Sequence, residues 1–354
     1  MAYSSIVKPS SYFNTKLYTG NLSTNNITGV GFQPDLVWLK SRTQGTTGYN
    51  GNHYWFDAVR GATKWIISNQ ANAEANNASS LSSFDSDGFT LGGLDFINNN
   101  GDNFVGWNWK ANGAGSANTD GSINTISTSV NTTAGFSISQ WTGTEANATI
   151  GHGLGVAPSM IIIKNTEKAT SWTVYHKSLG ATKALYLESS GAPSTHVAFF
   201  NNTEPTSSVF TVGTNDGANG NGEKNIAYCF AEKKGFSKFG SYAGNGNADG
   251  TFVYTGFSPA FVLLKNADEV EQWWIFDNKR NAYAGNFRYY ALFPNASSAE
   301  GTTSGDNNHI DFYSNGFKLR TTAQQLNGTS DNFIYMAFAE APFTNSNGIP
   351  NNAR

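Results

Sequence analysis

Gly31-Phe32-Gln33-Pro34-Asp35-Leu36-Val37-Trp38-Leu39-Lys40 is written again as Gly155-Val156-Ala157-Pro158-Ser159-Met160-Ile161-Ile162-Ile163-Lys164. It is written a third time as Gly256-Phe257-Ser258-Pro259-Ala260-Phe261-Val262-Leu263-Leu264-Lys265. A recurrence at roughly a hundred residues is too long for a solenoid and suits a small sandwich domain. Within each copy, Gly and Pro punctuate a turn, because a proline without an N–H cannot sit centrally in a ladder. The apolar run that follows is unbroken, so the strand is covered on both faces. Its terminal lysine (Lys40, Lys164, Lys265) is read as the point where the strand re-emerges into water.

Other blocks recur in the same order. An aromatic stands two positions before a glycine at Tyr18-Thr19-Gly20, Trp141-Thr142-Gly143 and Tyr242-Ala243-Gly244. Trp55-Phe56-Asp57 through Arg60 corresponds to Val174-Tyr175-His176 through Leu179 and to Ile275-Phe276-Asp277 through Arg280. The closing block alternates large and smaller residues: Val105, Trp107 and Trp109; Ile226, Tyr228 and Phe230; Ile334, Met336 and Phe338. Period two with bulk on one side defines a strand with that side in a core. No stretch has convincing helical periodicity. The chain therefore reads as all-β, three tandem β-sandwich repeats of jelly-roll or lectin-like type. The predicted divisions are an N-terminal arm (1–16), repeats at 17–113, 136–235 and 236–343, a linker (114–135) and a C-terminal tail (344–354). The linker is rich in Gly, Ser, Asn and Thr with little to bury. Repeats two and three adjoin through Lys233-Lys234-Gly235-Phe236 and are expected to pack together.

Composition narrows the classes of function. The chain has 354 residues and a net charge of −3, which argues against a basic nucleic-acid-binding surface. Charged residues make up 13%, about half the usual share, so neutral polar residues carry the surface. Cys229 is the only cysteine, which excludes an intrachain disulfide and favours folding in a reducing compartment. Residues 1–16 lack the apolar segment of a signal peptide, and no run reaches the length of a membrane-spanning helix.

Candidate chemistry is sparse. Alternation places Trp107 and Trp109 in a core in preference to a carbohydrate platform, whereas Trp172, Trp273 and Trp274 fit a core edge or a ligand contact equally. Asp57 and Asp277 share one repeat position, and equivalent positions in separate domains would not converge as a catalytic pair, so structural roles are expected. Asp85-Ser86-Asp87-Gly88 has the opening of a calcium loop, but Phe96 stands where the bidentate Glu belongs, so it is read as a turn. His53, His152, His176, His196 and His309 show no paired zinc spacing. No phosphate loop, nucleophile elbow or dinucleotide fingerprint is present, and Cys229 is read as a buried thiol. No catalytic residue, metal or cofactor is assigned, and no binding residue is named.

Pro9 through Gly20, Gly151-His152-Gly153-Leu154-Gly155, Ile226 through Glu232 and Ser314 through Leu319 resemble a family of uncharacterised proteins encoded by marine bacteriophages, including cyanophages and phages of pelagic bacteria. The resemblance runs nearly end to end. It implies a non-enzymatic virion structural protein, a fibre or receptor-contact component assembled in the host cytoplasm. The partners implied are other virion proteins, further copies of the chain and a host surface glycan, with neither nucleic acid nor membrane insertion. Alternatives are a capsid decoration or cement protein, and a polysaccharide depolymerase on the same scaffold.

Overall fold

The computed structural model describes residues 4, 6–43, 51–280, 286–302 and 309–342. The described residues form antiparallel sheets, with four one-turn helices and one 3-10 turn. In each repeat a large sheet is built in one spatial order: opening strand, closing strand, proline-headed strand, third strand. These are Phe13–Thr19, Asn103–Trp109, Leu36–Ser41 and His53–Asp57 in repeat one. They are Phe136–Thr142, Lys224–Phe230, Met160–Asn165 and Thr173–His176 in repeat two, and Ser237–Ala243, Asn332–Pro342, Phe257–Asn266 and Trp273–Asp277 in repeat three. The register is also the same, since Trp38 faces Trp107, Ile162 faces Tyr228 and Leu263 faces Met336. Pro259 lies inside its strand, but at a bulge that spares the ladder. Gly31, Gly155 and Gly256 turn the chain into these strands with φ of +92°, +72° and +82°, a region that favours glycine.

A second, smaller sheet lies over one face of each large sheet. It comprises Asn25–Thr28, Gly88–Leu91 and Leu81–Asp85 in repeat one, and Ala148–Gly151 with Val209–Val212 in repeat two. In repeat three it comprises Phe252–Tyr254, Gly316–Leu319, Ile310–Tyr313 and Phe287–Arg288. Each sandwich encloses its own apolar core. A fourth core joins all three repeats, because the other faces of the large sheets meet one another. The last aromatics of the closing strands, Trp109, Phe230 and Phe338, form a nearly equilateral triangle. Their ring centroids are 6.2, 5.7 and 6.1 Å apart and every contact is edge-to-face, a favoured aromatic geometry. The repeats thus close a ring with threefold character inside one chain.

This ring revises several expectations. The bulky side of the closing strand faces the shared centre, while Ala227 and Cys229 face their own sandwich. Lys40, Lys164 and Lys265 do not reach water. All three are fully buried, with Nζ donating to the carbonyls of Ser41, Asn165 and Asn266 at 2.6, 2.7 and 2.6 Å. They share the face of Trp38, Ile162 and Leu263, the face that the neighbouring repeats cover.

The segment read as a linker is packed. Asp35 accepts hydrogen bonds from the backbone N–H groups of Ala111 and Gly113 at 2.6 and 3.0 Å. Ser127–Asn131 then adds an edge strand to the second large sheet, and Ile123 bridges to Ile150. Of the expected N-terminal arm, Ile6 and Phe13 lie in the shared core. The tail 344–354 lies outside the described residues.

Candidate binding face

The tryptophans left open between core and ligand contact are buried. Trp172 Nε1 donates to the Ile67 carbonyl of repeat one at 2.9 Å, and Trp273 Nε1 donates to the Tyr186 carbonyl of repeat two at 3.0 Å. His53 holds the equivalent place in repeat one, opposite the Phe293 carbonyl of repeat three. All nine tryptophans of the chain are buried, so none forms a surface platform.

The Asp57 and Asp277 positions are seams of the ring. Asp57 is paired with Arg60 at 2.5 Å and accepts Tyr228 Oη of repeat two at 2.7 Å. Asp277 is paired with Arg280 at 2.5 Å and accepts Trp107 Nε1 of repeat one at 2.9 Å. Burial alone would raise the Asp277 carboxyl, but Arg280 and the surrounding donors hold it below its ordinary value. The third seam is built differently. Met336, which cannot donate, replaces Trp107 and Tyr228, while His176 replaces the aspartate and Leu179 the arginine. His176 Nε2 instead lies 3.2 Å from the Tyr335 carbonyl, and burial lowers its pKa to about 4. The charge pair is thus present where the neighbour supplies a donor and absent where it does not, as a desolvated carboxylate requires.

The aromatic-x-glycine blocks are clamps. Tyr18 Oη and Tyr242 Oη donate to Ile97 and Leu326 carbonyls, both at 2.7 Å, on the one-turn helices Asp95–Asn98 and Gln324–Asn327. Trp141 Nε1 reaches Asn219 Oδ1 at 3.2 Å on the helix Asp216–Asn219. A Cβ at Gly20, Gly143 or Gly244 would overlap the carbonyl oxygen just past that helix. Asn98, Asn219 and Asn327, which the sequence reading passed over, are buried and tie these loops, each accepting a backbone N–H at Oδ1 and donating from Nδ2 to a backbone carbonyl. Their recurrence a few residues before each closing strand was the available signal.

Asp87 is a turn residue that accepts the N–H groups of Gly31 and Gly29 at 2.6 and 3.0 Å. Cys229 is fully buried, which pushes its thiol pKa up. Among the described residues, no three His, Cys, Asp or Glu side chains gather as a metal-ligand set, and no helix is long and apolar enough to cross a membrane.

Groups that face outward with no role in these seams gather on the small sheet of repeat three. Val253, Phe317, Ile310 and Phe312 point into the sandwich core, so the alternate residues point out. One outward row crosses all four strands as Phe252, Lys318, Asp311 and Phe287. The next holds Tyr254, Gly316 and Tyr313. Phe252 and Tyr254 are 44% and 50% exposed, and Phe252 stands edge-to-face with Tyr313 at 6.2 Å. Asp249 pairs with Lys318 at 2.8 Å and with Arg320 at 2.9 Å, and Arg320 reaches Asp311 at 2.9 Å. Tyr313 Oη donates to Asp311 at 3.0 Å. Beside this face a cleft of about 300 Å³ opens at the junction of repeats two and three, lined by Glu232, Lys234, Lys238, Tyr254, Thr255 and Gly256. The sequence reading gave none of these residues a binding role, although aligning the short strands shows Phe252 and Tyr254 where the other repeats have Asn26 and Thr28, or Thr149 and Gly151.

No curated protein matches the sequence. The model of a domain of unknown function, DUF7483, matches residues 8–342 and so takes in all three repeats and the shared core, and the chain belongs to that family.

Proposed function

We propose that the chain is a bacteriophage virion structural protein, a fibre or receptor-contact component whose work is to hold a surface toward the host. The observation that supports this most is the closed ring. Three copies of one scaffold are spent on a common core, with aromatic, ion-pair and clamp residues committed to rigidity. Such a body presents loops and sheet faces in fixed directions. The end-to-end resemblance to marine phage proteins supplies the setting.

The test is a cryo-electron-microscopy reconstruction of a phage that encodes the protein, with mass spectrometry of purified particles. Density at the tail tip or in projecting fibres is the expected result. Density spread over capsomers would replace the receptor-contact reading with capsid decoration. Absence from the particle would overturn the virion reading.

A further inference from the structure

The three repeats serve as controls for one another. On the outer face of the small sheet, repeat one places Asn26, Thr28, Ser83, Asp85 and Thr90. Repeat two places Thr149 and Thr211 there, and lays its own segment over them: Ser122 and Thr149 exchange backbone-to-side-chain hydrogen bonds at 2.8 Å. Repeat three places Phe252, Tyr254, Tyr313, Lys318 and Asp311 on the same framework. The fold is made equally well by small polar residues at these sites. In repeat three Phe252 lies over Gly316 and Tyr254 beside Gly256, yet 44% and 50% of these residues stay in water, an apolar exposure that the other two repeats do without.

We propose that this face binds a short neutral oligosaccharide, with Phe252 and Tyr254 stacking on sugar rings. Lys318 and Arg320 donate to hydroxyl groups and Asp249 accepts from them, while the buried Asp311 holds Arg320 and Tyr313 in place. Aromatic faces are electron-rich and attract the C–H face of a pyranose. Hydroxyls both donate and accept, which requires donors and acceptors side by side. The ion pairs among Asp249, Lys318, Arg320 and Asp311 supply such a set in fixed positions, so little ordering is left for binding to impose. Two cations balance two carboxylates on the face, which suits an uncharged ligand and offers nothing to a phosphate backbone.

Size also selects the occupant. Four strands about 4.8 Å apart and two rows about 7 Å apart give a platform on the order of 100 Å². A specific protein interface needs about 800 Å² from each partner. The platform suits a few sugar rings, and the 300 Å³ cleft beside Tyr254 gives the chain of sugars a way off the face.

This deepens the host-contact reading, and the two fail separately. Sugar binding is measured on the purified full chain, and virion membership on particles. The probes are cellotriose, laminaritriose, mannotriose and chitotriose, observed by saturation-transfer NMR and titrated. At least one is expected to receive saturation, and Phe252→Ser with Tyr254→Ser is expected to weaken it roughly tenfold, as loss of two stacking contacts implies. Lys318→Met, which leaves both rings in place, is expected to weaken it less, and Asn26→Ser on the equivalent face of repeat one not at all. No transfer from any of the four sugars would overturn the proposal. So would transfer unchanged in both repeat-three variants, or loss of binding equally in Asn26→Ser. Concentration-dependent self-association abolished by the ring variants would overturn it in favour of a second copy of the chain.

Discussion

Removing the carboxylate of Asp57 tests whether buried charge at a seam holds the ring. In Asp57→Ala the Arg60 guanidinium, with a side chain fully removed from solvent, keeps the Trp55 carbonyl at 2.9 Å and Glu74 at 3.2 Å. It loses its 2.5 Å partner, and Tyr228 Oη and the Arg60 N–H lose their acceptor. Stranding one member of a buried pair costs about 3–5 kcal/mol. That is a large part of the 5–15 kcal/mol that stabilises a typical domain. Tyr228→Phe removes only a single hydrogen bond to a charged acceptor, about 1.5–3 kcal/mol, and leaves the ion pair intact. The two changes act on one contact, so the double variant is expected to cost less than the sum. Urea unfolding followed by tryptophan fluorescence reads all three, because Trp55 packs on Tyr228 with ring centroids 4.9 Å apart. A loss within about 0.5 kcal/mol for Asp57→Ala, the size of an ordinary surface change, would refute the reasoning. Strict additivity of the pair would refute the seam itself.

Burial lowers the pKa of Lys40 from 10.5 to about 7, and those of Lys164 and Lys265 from 10.5 to about 8. The unfolded chain then binds more protons at these groups than the folded one, so stability rises with pH between about pH 7 and 9. Above that, Cys229 and the buried tyrosines, whose pKa values burial raises, act in the opposite sense. Urea midpoints at pH 7, 8 and 9 check this, and a midpoint that falls would contradict it. Gly143→Ala drives a methyl group into the Gly220 carbonyl, and a loss of roughly 1–3 kcal/mol is expected from overpacking. A calorimetric scan showing no shift in Tm would mean that the clamp has slack. Cys229 is expected to resist iodoacetamide in the native protein and to react fully in urea, because its thiol is buried and its pKa raised. Rapid native labelling counted by mass spectrometry would show that the sandwich of repeat two opens.

Local chemistry was legible in the sequence. Apolar runs after Gly-x-x-Pro and alternation in the closing blocks placed the strands, because the two-residue period of a strand is a property of the backbone itself. The covering of both faces of the proline-headed strands was legible too, since Leu36 to Leu39 leaves no face for water. What covered them was not. Trp109, Phe230 and Phe338 look alike whether they close three separate sandwiches or one triangle, as nothing in a linear pattern says which apolar face meets which. The lysines were misread for the same reason, because a charged group after an apolar run exits to solvent unless another sheet lies over it. The candidate face was missed because its members are single residues on strands of two to four positions, and only the superposed repeats reveal Phe252 and Tyr254 as departures.

The sequence by itself determined the strands, their order within a repeat and the threefold recurrence, since these follow from local period, turn chemistry and length. The tertiary structure alone decided that the repeats share a core, that Asp57 and Asp277 join neighbours, and that repeat three presents an aromatic face. The first two depend on contacts between residues a hundred or more positions apart, and the third on strands paired across a long stretch of repeat three; desolvation acts on whatever the closed ring brings together, however far apart in the chain.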